Sequence, residues 1–95
     1  MFKADVIIVG SGPVGCVLAH KISTELNLSC LIIEKRNHIA GNCYDKKNKK
    51  GVLYHKYGPH YLRFKKKKIF KYLSNFTDWI PGEYIVKSCV DKKLY

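Results

Sequence analysis

The fold is decided by one stretch near the start of the chain, Val6-Ile7-Ile8-Val9-Gly10-Ser11-Gly12-Pro13-Val14-Gly15. Its four consecutive β-branched residues predict a strand that is buried on both faces of a parallel sheet. The three glycines that follow have the spacing Gly-x-Gly-x-x-Gly, with which a backbone can turn sharply and approach a pyrophosphate closely. A helix directly after them directs its free N–H groups and the positive end of its dipole at such a phosphate. The stretch therefore predicts a nucleotide-binding turn.

A helix and a second strand are predicted on the C-terminal side of this turn. The first strand covers residues 5–9, and the helix starts near Pro13, whose fixed φ and missing N–H suit a first turn. Asn27 is the predicted terminator of the helix. Residues 30–34 form the predicted parallel strand, which closes a right-handed βαβ unit. Apolar residues recur with helical spacing between the two strands, at Val14, Val17, Leu18, Ile22 and Leu26.

Glu34 ends the second strand, nineteen residues after Gly15. Dinucleotide-binding folds place an acid here against the hydroxyls of the adenosine ribose. The dinucleotide site is favoured over a glycine-rich turn with a surface carboxylate, because five features occur in the expected order: a strand, glycines, an amphipathic helix, a second strand and a terminal acid. A carboxylate also repels a 2′-phosphate, so an NADP-type ligand is disfavoured.

The middle of the chain reads as loops around short extended segments. The polar loop after Glu34 ends in the small residues Ala40-Gly41-Asn42, which would let the backbone approach the second half of a bound FAD. Residues 45–51 are predicted to form a charged hairpin turn, and residues 52–57 a weak strand. His60 follows in a Gly-Pro turn, and the residues alone leave both a structural and a functional role open.

The last third of the chain predicts one short helix and one strand. A lysine run at 65–68 covers the start of the helix, whose apolar face comprises Ile69, Phe70, Tyr72, Leu73 and Phe76. Trp79-Ile80-Pro81-Gly82 ends it, and residues 84–90 form the predicted strand. Leu94-Tyr95 resembles the opening of a return strand without a partner, and we expect from this unpaired arm that the chain is truncated.

The predicted fold class is therefore α/β. It comprises a Rossmann-like βαβ portion with parallel strands, then an irregular loop, a short helix and a terminal strand or hairpin. We expect residues 1–95 to form one incomplete dinucleotide-binding portion, because a chain this short cannot complete a large cofactor pocket.

Composition narrows the class of protein further. Hydrophobic residues make up 46% of the chain, which is typical of a globular protein. No segment is predicted to span a membrane or to act as a signal peptide, which favours a cytoplasmic location. The four cysteines include no C-x-x-C pair, so free thiols are expected and no metal site is predicted.

The net charge of +11 raises the question of a nucleic-acid partner. Sixteen lysines supply nearly all of it, against two arginines, whereas phosphate and base recognition usually recruits arginine forks. No nucleic-acid-binding motif accompanies the charge. Solvated lysine faces are therefore favoured over a specific polyanion site.

With these elements placed, the sequence resembles the N-terminal, FAD-binding part of the UDP-galactopyranose mutases. Four blocks carry the resemblance: Ile8-Val9-Gly10-Ser11-Gly12-Pro13-Val14-Gly15, Ile33-Glu34-Lys35-Arg36-Asn37-His38-Ile39-Ala40-Gly41-Asn42, His55-Lys56-Tyr57-Gly58-Pro59-His60 and Tyr72-Leu73-Ser74-Asn75-Phe76-Thr77-Asp78-Trp79. The resemblance implies an isomerase that interconverts UDP-galactopyranose and UDP-galactofuranose for cell-surface glycans. In that family the reduced flavin attacks the sugar through its N5 atom and forms a flavin–sugar adduct. It also implies UDP-galactose as substrate and permits a homo-oligomer.

The resemblance also assigns roles to individual positions. A group at the pyrophosphate comprises Gly10, Ser11, Gly12, Val14 and Gly15. A second group meets the adenosine end and the path of FAD, and comprises Glu34, Lys35, Gly41 and Asn42. The third group, His60 and the backbone of Tyr61, matches a turn beside the isoalloxazine, where His60 would position the flavin. No catalytic residue is assigned within the 95 residues, because the family's substrate-binding helical domain and arginines lie further on; the chain alone is expected to be inactive.

Three positions depart from the family pattern. Ala40 replaces the first glycine of a usual Gly-Gly pair, which is tolerable at negative φ and strained at positive φ. Val14 stands where an aromatic residue is frequent, and Arg63 where bacterial relatives often carry a histidine. Two other interpretations stay open: a fragment of another amine-oxidase-like flavoprotein, which the block from His55 to His60 disfavours, and a non-catalytic basic binding module.

Overall fold

The N-terminal part of the chain forms a parallel βαβ unit. The structure is a computed structural model and describes residues 3–83 and 85–95. Strand β1 (Val6–Val9) leads through the glycine turn into helix α1 (Pro13–Glu25), and β2 (Cys30–Ile33) returns beside β1. The strands pair in parallel, with each residue of β1 opposite its counterpart in β2. The predicted Rossmann-like βαβ arrangement is confirmed, and each strand is one residue shorter than predicted because the ladder excludes the two flanking acids.

Hydrogen bonds at both ends of the strand pair fix its register. At the start, Oδ2 of Asp5 accepts the N–H of Ser29 at 2.8 Å and its hydroxyl at 2.6 Å. These two donors, the hydroxyl more strongly than the N–H, lower the pKa of the Asp5 carboxyl. At the other end the N–H of Gly10 donates to the carbonyl of Ile33 at 2.7 Å. The carboxyl ends of both strands therefore meet at one edge, beside the glycine turn.

Helix α1 begins and ends where the sequence predicts. Pro13 is its first residue, and Asn27 adopts the left-handed conformation with φ +53° directly after the C-cap. Its apolar face is less covered than its pattern predicts, because α1 packs against only two strands. Val14 is 76% exposed and Leu26 is 62% exposed, whereas Ile22 is partly buried. Among the described residues no apolar side chain is fully buried.

An antiparallel hairpin follows β2 after a loop that contains a 3₁₀ turn (Gly41–Cys43). Strands β3 (Asp45–Lys47) and β4 (Leu53–His55) pair with Asp45 opposite His55. The side-chain oxygen of Asn48 accepts two backbone N–H groups within the connecting turn. The predicted surface hairpin is confirmed, but residues 45–47, which were expected in the turn, form a strand.

The first structural unit spans Met1–His60, and a second unit spans Tyr61–Tyr95. In the second unit, helix α2 (Lys67–Leu73) is shorter than predicted and ends three residues before Phe76. Its Phe70 ring stacks on Phe64 with the ring centroids 4.7 Å apart. The apolar side of this helix therefore packs within its own short segment.

The C-terminal segment corrects one expectation. Strands β5 (Cys89–Val90) and β6 (Lys93–Leu94) pair antiparallel, and Ser88 and Tyr95 exchange two backbone hydrogen bonds of 3.0 and 2.9 Å. The expectation of an unpaired return arm is therefore wrong. The reason is the intervening pair Asp91 and Lys92, which adopts φ of +48° and +63° and so makes a tight two-residue turn without glycine.

The predicted strand at 84–90 is mostly absent from the described part of the chain. Only Cys89–Val90 is a strand, residues 85–88 have no regular structure, and Tyr84 lies outside the described residues. All four cysteines are free thiols, as predicted. Among the described residues, no helix has the length and apolar character that crossing a membrane requires.

Candidate functional site

The glycine turn between β1 and α1 is shaped by two glycines that no other residue could replace without displacement. Gly10 has φ +99°, a conformation that side chains other than hydrogen strongly disfavour. A Cβ on Gly15 would lie 2.0 Å from the carbonyl oxygen of Gly10. Helix α1 therefore approaches the end of β1 too closely for a side chain at residue 15.

Gly12 serves a different purpose, because a Cβ there would meet no atom within 4 Å. Its φ of −69° is also open to any residue. Neither strain nor packing inside the chain requires glycine at this position. The missing side chain leaves the backbone of Gly12 open to a ligand.

The start of α1 supplies hydrogen-bond donors beside that opening. The N–H of Cys16 donates to the carbonyl of Gly12 at 3.0 Å and is the first intrahelical bond. The N–H groups of Val14 and Gly15 come before it and so have no partner within the helix. No side chain caps this end. The helix start therefore presents N–H groups and the positive end of its dipole, the combination that binds phosphate.

Glu34 lies directly after β2 and holds the turn. Its Oε2 accepts the N–H and the hydroxyl of Ser11, both at 2.7 Å, and its Oε1 accepts the N–H of Arg36 at 2.9 Å. These hydrogen bonds lower the pKa of Glu34 to about 2, and the one from the N–H of Arg36 has the largest effect. The carboxyl is therefore ionised at neutral pH, and Oε1 retains a lone pair that can accept a ribose hydroxyl.

The small-residue loop packs backbone to backbone on the same turn. The N–H of Ala40 donates to the carbonyl of Ser11 at 2.9 Å. A Cβ on Gly41 would lie 3.0 Å from the Cα of Gly12. Ala40, which replaces the first glycine of the family's Gly-Gly pair, has φ +71°. This left-handed conformation is strained for alanine and would not be for glycine. Residues from the turn, from β2 and from this loop thus converge at one edge.

An aromatic cluster holds the loop after Glu34. The ring of His38 stacks on Tyr44 with the centroids 3.9 Å apart, and its Nε2 lies 2.8 Å from the hydroxyl of Tyr57. The guanidinium of Arg36 lies over the same Tyr57 ring, 4.5 Å from its centroid. This cluster was not predicted from the sequence, because its members are separated along the chain and share no periodicity.

The structure brings together most, but not all, of the residues that the sequence assigned. Those at the convergent edge are Gly10, Ser11, Gly12, Val14, Gly15, Glu34 and Gly41. Lys35 and Asn42 are exposed and adjoin that edge in sequence. His60 instead contacts the hairpin, and Tyr61 begins the second unit. The roles of His60 and Tyr61 beside a flavin stay predictions.

A second side-chain cluster lies on the hairpin. The Nδ1 atom of His55 lies 2.8 Å from Oδ1 of Asp45 and 3.1 Å from Nε2 of His60. The same Nε2 lies 3.4 Å from Oδ1 of Asp45. The cluster could be predicted only if the pairing of Asp45 with His55 across the two strands were known. The sequence does not specify this register, because both strands are short and polar.

The convergent edge fits the adenosine diphosphate half of a dinucleotide. An open backbone at Gly12 and the helix N–H groups suit a pyrophosphate. An ionised acid at the end of β2 suits a ribose. These features are typical of dinucleotide-binding domains. Comparison with known proteins leads to the same class: the chain belongs to the family of NAD(P)-binding Rossmann-like domains, whose family model matches residues 8–76.

More specific relatives are the sugar-nucleotide mutases. The chain is 44% identical to the UDP-galactopyranose mutase of Mycoplasma genitalium over 78% of this chain and 18% of that protein. It is 40% identical to the UDP-galactopyranose mutase of Mycoplasma pneumoniae over 97% of this chain and 23% of that protein. A dTDP-fucopyranose mutase of Escherichia coli is 32% identical over 95% of this chain and 24% of that protein. The chain thus spans less than a quarter of the length of these curated relatives.

Proposed function

We propose that this chain is the cofactor-binding portion of a FAD-dependent UDP-galactopyranose mutase, an isomerase that interconverts UDP-galactopyranose and UDP-galactofuranose. The observation that carries the proposal is the convergence of three backbone segments at one edge: the Gly12 turn, Glu34 and the Ala40–Gly41 loop. The two relatives with the highest identities given above bear the name of this mutase.

The chain's own part in the proposed function is binding. The N–H groups of Val14 and Gly15 hold the pyrophosphate, and the absent side chain of Gly12 admits it. Glu34 accepts a ribose hydroxyl through Oε1 while Oε2 keeps the turn closed through Ser11. The adenosine half of the cofactor is thereby fixed in one orientation.

The Ala40–Gly41 loop favours FAD over a nicotinamide dinucleotide. It places backbone in direct contact with the turn that holds the pyrophosphate. Small residues at this point leave room for the second half of an extended FAD to pass. When bound and reduced, FAD supplies the nucleophile for the isomerisation, and the residues that grip the nucleotide sugar are proposed to lie outside these 95 residues.

Ligand competition tests the proposal. FAD binding to the purified chain is followed by flavin fluorescence, with ADP and FMN as competitors. We expect ADP to displace FAD and FMN to leave it bound, because FMN lacks the adenosine half. NADP should compete at least about tenfold less well than NAD, a difference of about 1.4 kcal/mol, because Glu34 repels the 2′-phosphate. Tighter binding of NAD than of FAD would contradict the assignment of FAD.

A charge reversal with a matched control locates the binding. Glu34→Lys should weaken FAD binding at least about tenfold (about 1.4 kcal/mol), since it removes the ribose acceptor and the bonds to Ser11. Glu83→Lys makes the same change in net charge at an exposed position of the second unit and should leave binding unchanged. Equal FAD binding in both variants would show that Glu34 does not contact the ligand. Formation of UDP-galactofuranose by the chain with reduced FAD would contradict the proposed need for residues outside it.

A further inference from the structure

Three metal-ligating side chains meet on the hairpin, away from the contacts of the glycine turn. Asp45 lies on β3, His55 lies opposite it on β4, and His60 follows five residues later. One ligand atom from each lies within 4.8 Å of the others. The antiparallel register fixes the first two, and the Gly58-Pro59 turn returns His60 to them.

The distances between these atoms match those around a transition-metal ion. They are 2.8 Å, 3.1 Å and 3.4 Å. Ligands about 2.1 Å from an ion are separated by roughly 3.0 Å in octahedral and roughly 3.4 Å in tetrahedral geometry. An ion about 2.1 Å from all three atoms lies about 1 Å from their plane, with ligand–metal–ligand angles of roughly 85° to 108°. The three atoms therefore form one face of a coordination polyhedron.

His60 makes a backbone contact of the kind that metal-ligating histidines usually make. Nδ1 of His60 lies 3.4 Å from the carbonyl oxygen of Gly58, which is an acceptor for the proton of the Nδ1–H tautomer. In that tautomer Nε2 has a lone pair on the side of Asp45 and His55. Ligating histidines usually donate their other N–H to a backbone carbonyl in this way, which fixes the tautomer.

Hydrogen bonds alone serve this arrangement poorly. In the tautomer with the proton on Nδ1 of His60, the three facing atoms share one proton, that on Nδ1 of His55, between the two acceptors Nε2 of His60 and Oδ1 of Asp45. These two acceptors lie 3.4 Å apart and repel each other. A divalent ion replaces the proton on Nδ1 of His55, which His55 can carry on Nε2 instead, and so engages three lone pairs at once and removes the repulsion.

We propose that Asp45, His55 and His60 bind one divalent transition-metal ion, with Zn²⁺ as the preferred ion. Two imidazoles and one carboxylate are a ligand set that zinc sites use, with water completing the coordination. The three side chains are 31–41% exposed, so an ion can enter and the outward positions stay open to water. His60 then holds the metal, a role different from the flavin contact that the resemblance implies. The inference does not depend on the proposed mutase function.

Cobalt binding tests the site directly. Co²⁺ is added to the purified 95-residue chain, and visible d–d absorption bands are recorded. We expect bands that saturate at one ion per chain, without a sulfur-to-cobalt charge-transfer band, and that Zn²⁺ abolishes. No bands at a large excess of Co²⁺, or a charge-transfer band that is lost in Cys43→Ser, would overturn the proposal.

Variants assign the ligands. Asp45→Ala and His55→Ala should each weaken Co²⁺ and Zn²⁺ binding by at least ~100-fold, the upper end of the loss typical of outer-shell partners. His20→Gln removes an exposed histidine on α1 and should leave the affinity unchanged. Far-UV circular dichroism of each variant without metal should match the wild type. Unchanged affinity in either ligand variant would show that the cluster is a hydrogen-bonded triad and not a metal site.

Discussion

Ala40→Gly should stabilise the protein, because Ala40 adopts φ +71° and ψ 0°. A left-handed alanine costs about 1–2 kcal/mol relative to an unstrained conformation. Glycine avoids this cost but adds about 0.4–1 kcal/mol of conformational entropy to the unfolded chain. The difference predicts a net gain of about 0.5–1 kcal/mol in the free energy of unfolding. The hydrogen bond from residue 40 to Ser11 is unaffected, because it uses the backbone N–H.

Urea unfolding followed by far-UV circular dichroism measures this gain, since α1 lies in the same unit as Ala40. Ala19→Gly is the matched control. It makes the same substitution inside α1, where φ is helical, and should destabilise the protein by about 1 kcal/mol. Equal destabilisation in both variants would refute the left-handed conformation at Ala40 and with it the close packing of this loop on the turn.

The remaining predictions concern the same edge. Gly15→Ala should cost about 1–3 kcal/mol of unfolding free energy, because its Cβ would lie 2.0 Å from the carbonyl oxygen of Gly10; urea unfolding measures it. Gly12→Ala should change stability by no more than about 1 kcal/mol yet weaken FAD binding, since the ligand is proposed to occupy the open space beside Gly12. The lowered pKa of Glu34 predicts that wild-type stability is complete above pH 4.5 and declines as pH falls towards 2. Glu34→Gln should show a smaller decline, because the lowered pKa of Asp5 still contributes, and an identical decline in urea midpoints of both proteins would contradict the role of the carboxylate.

The βαβ unit could be predicted because its signals are local. A β-branched run, glycines at fixed spacing and a helical period each specify structure within a few residues, and Asn27 marks the helix end by the same kind of signal. The place of Glu34 followed from counting residues. Its bonds to Ser11 did not follow, because they depend on side-chain geometry across the strand pair.

Other features depend on which segments meet. Residues 45–47 are charged and read as a turn, but pairing with β4 makes them a strand and brings Asp45 to His55. The return strand β6 depends on left-handed conformations at Asp91 and Lys92, which neither residue type specifies. Exposure of Val14 on an otherwise regular helix reflects the width of the sheet beneath it, which periodicity does not encode.

The central claim is that the backbone of the glycine turn binds FAD, and amide chemical shifts of the chain during a FAD titration test it most directly. We predict that the largest changes fall on the N–H groups of Gly12, Val14, Gly15 and Gly41. The amides of the lysine run at 65–68 should stay constant. Changes centred on 65–68, with the glycine turn unaffected, would show a basic surface that binds polyanions and would contradict the account.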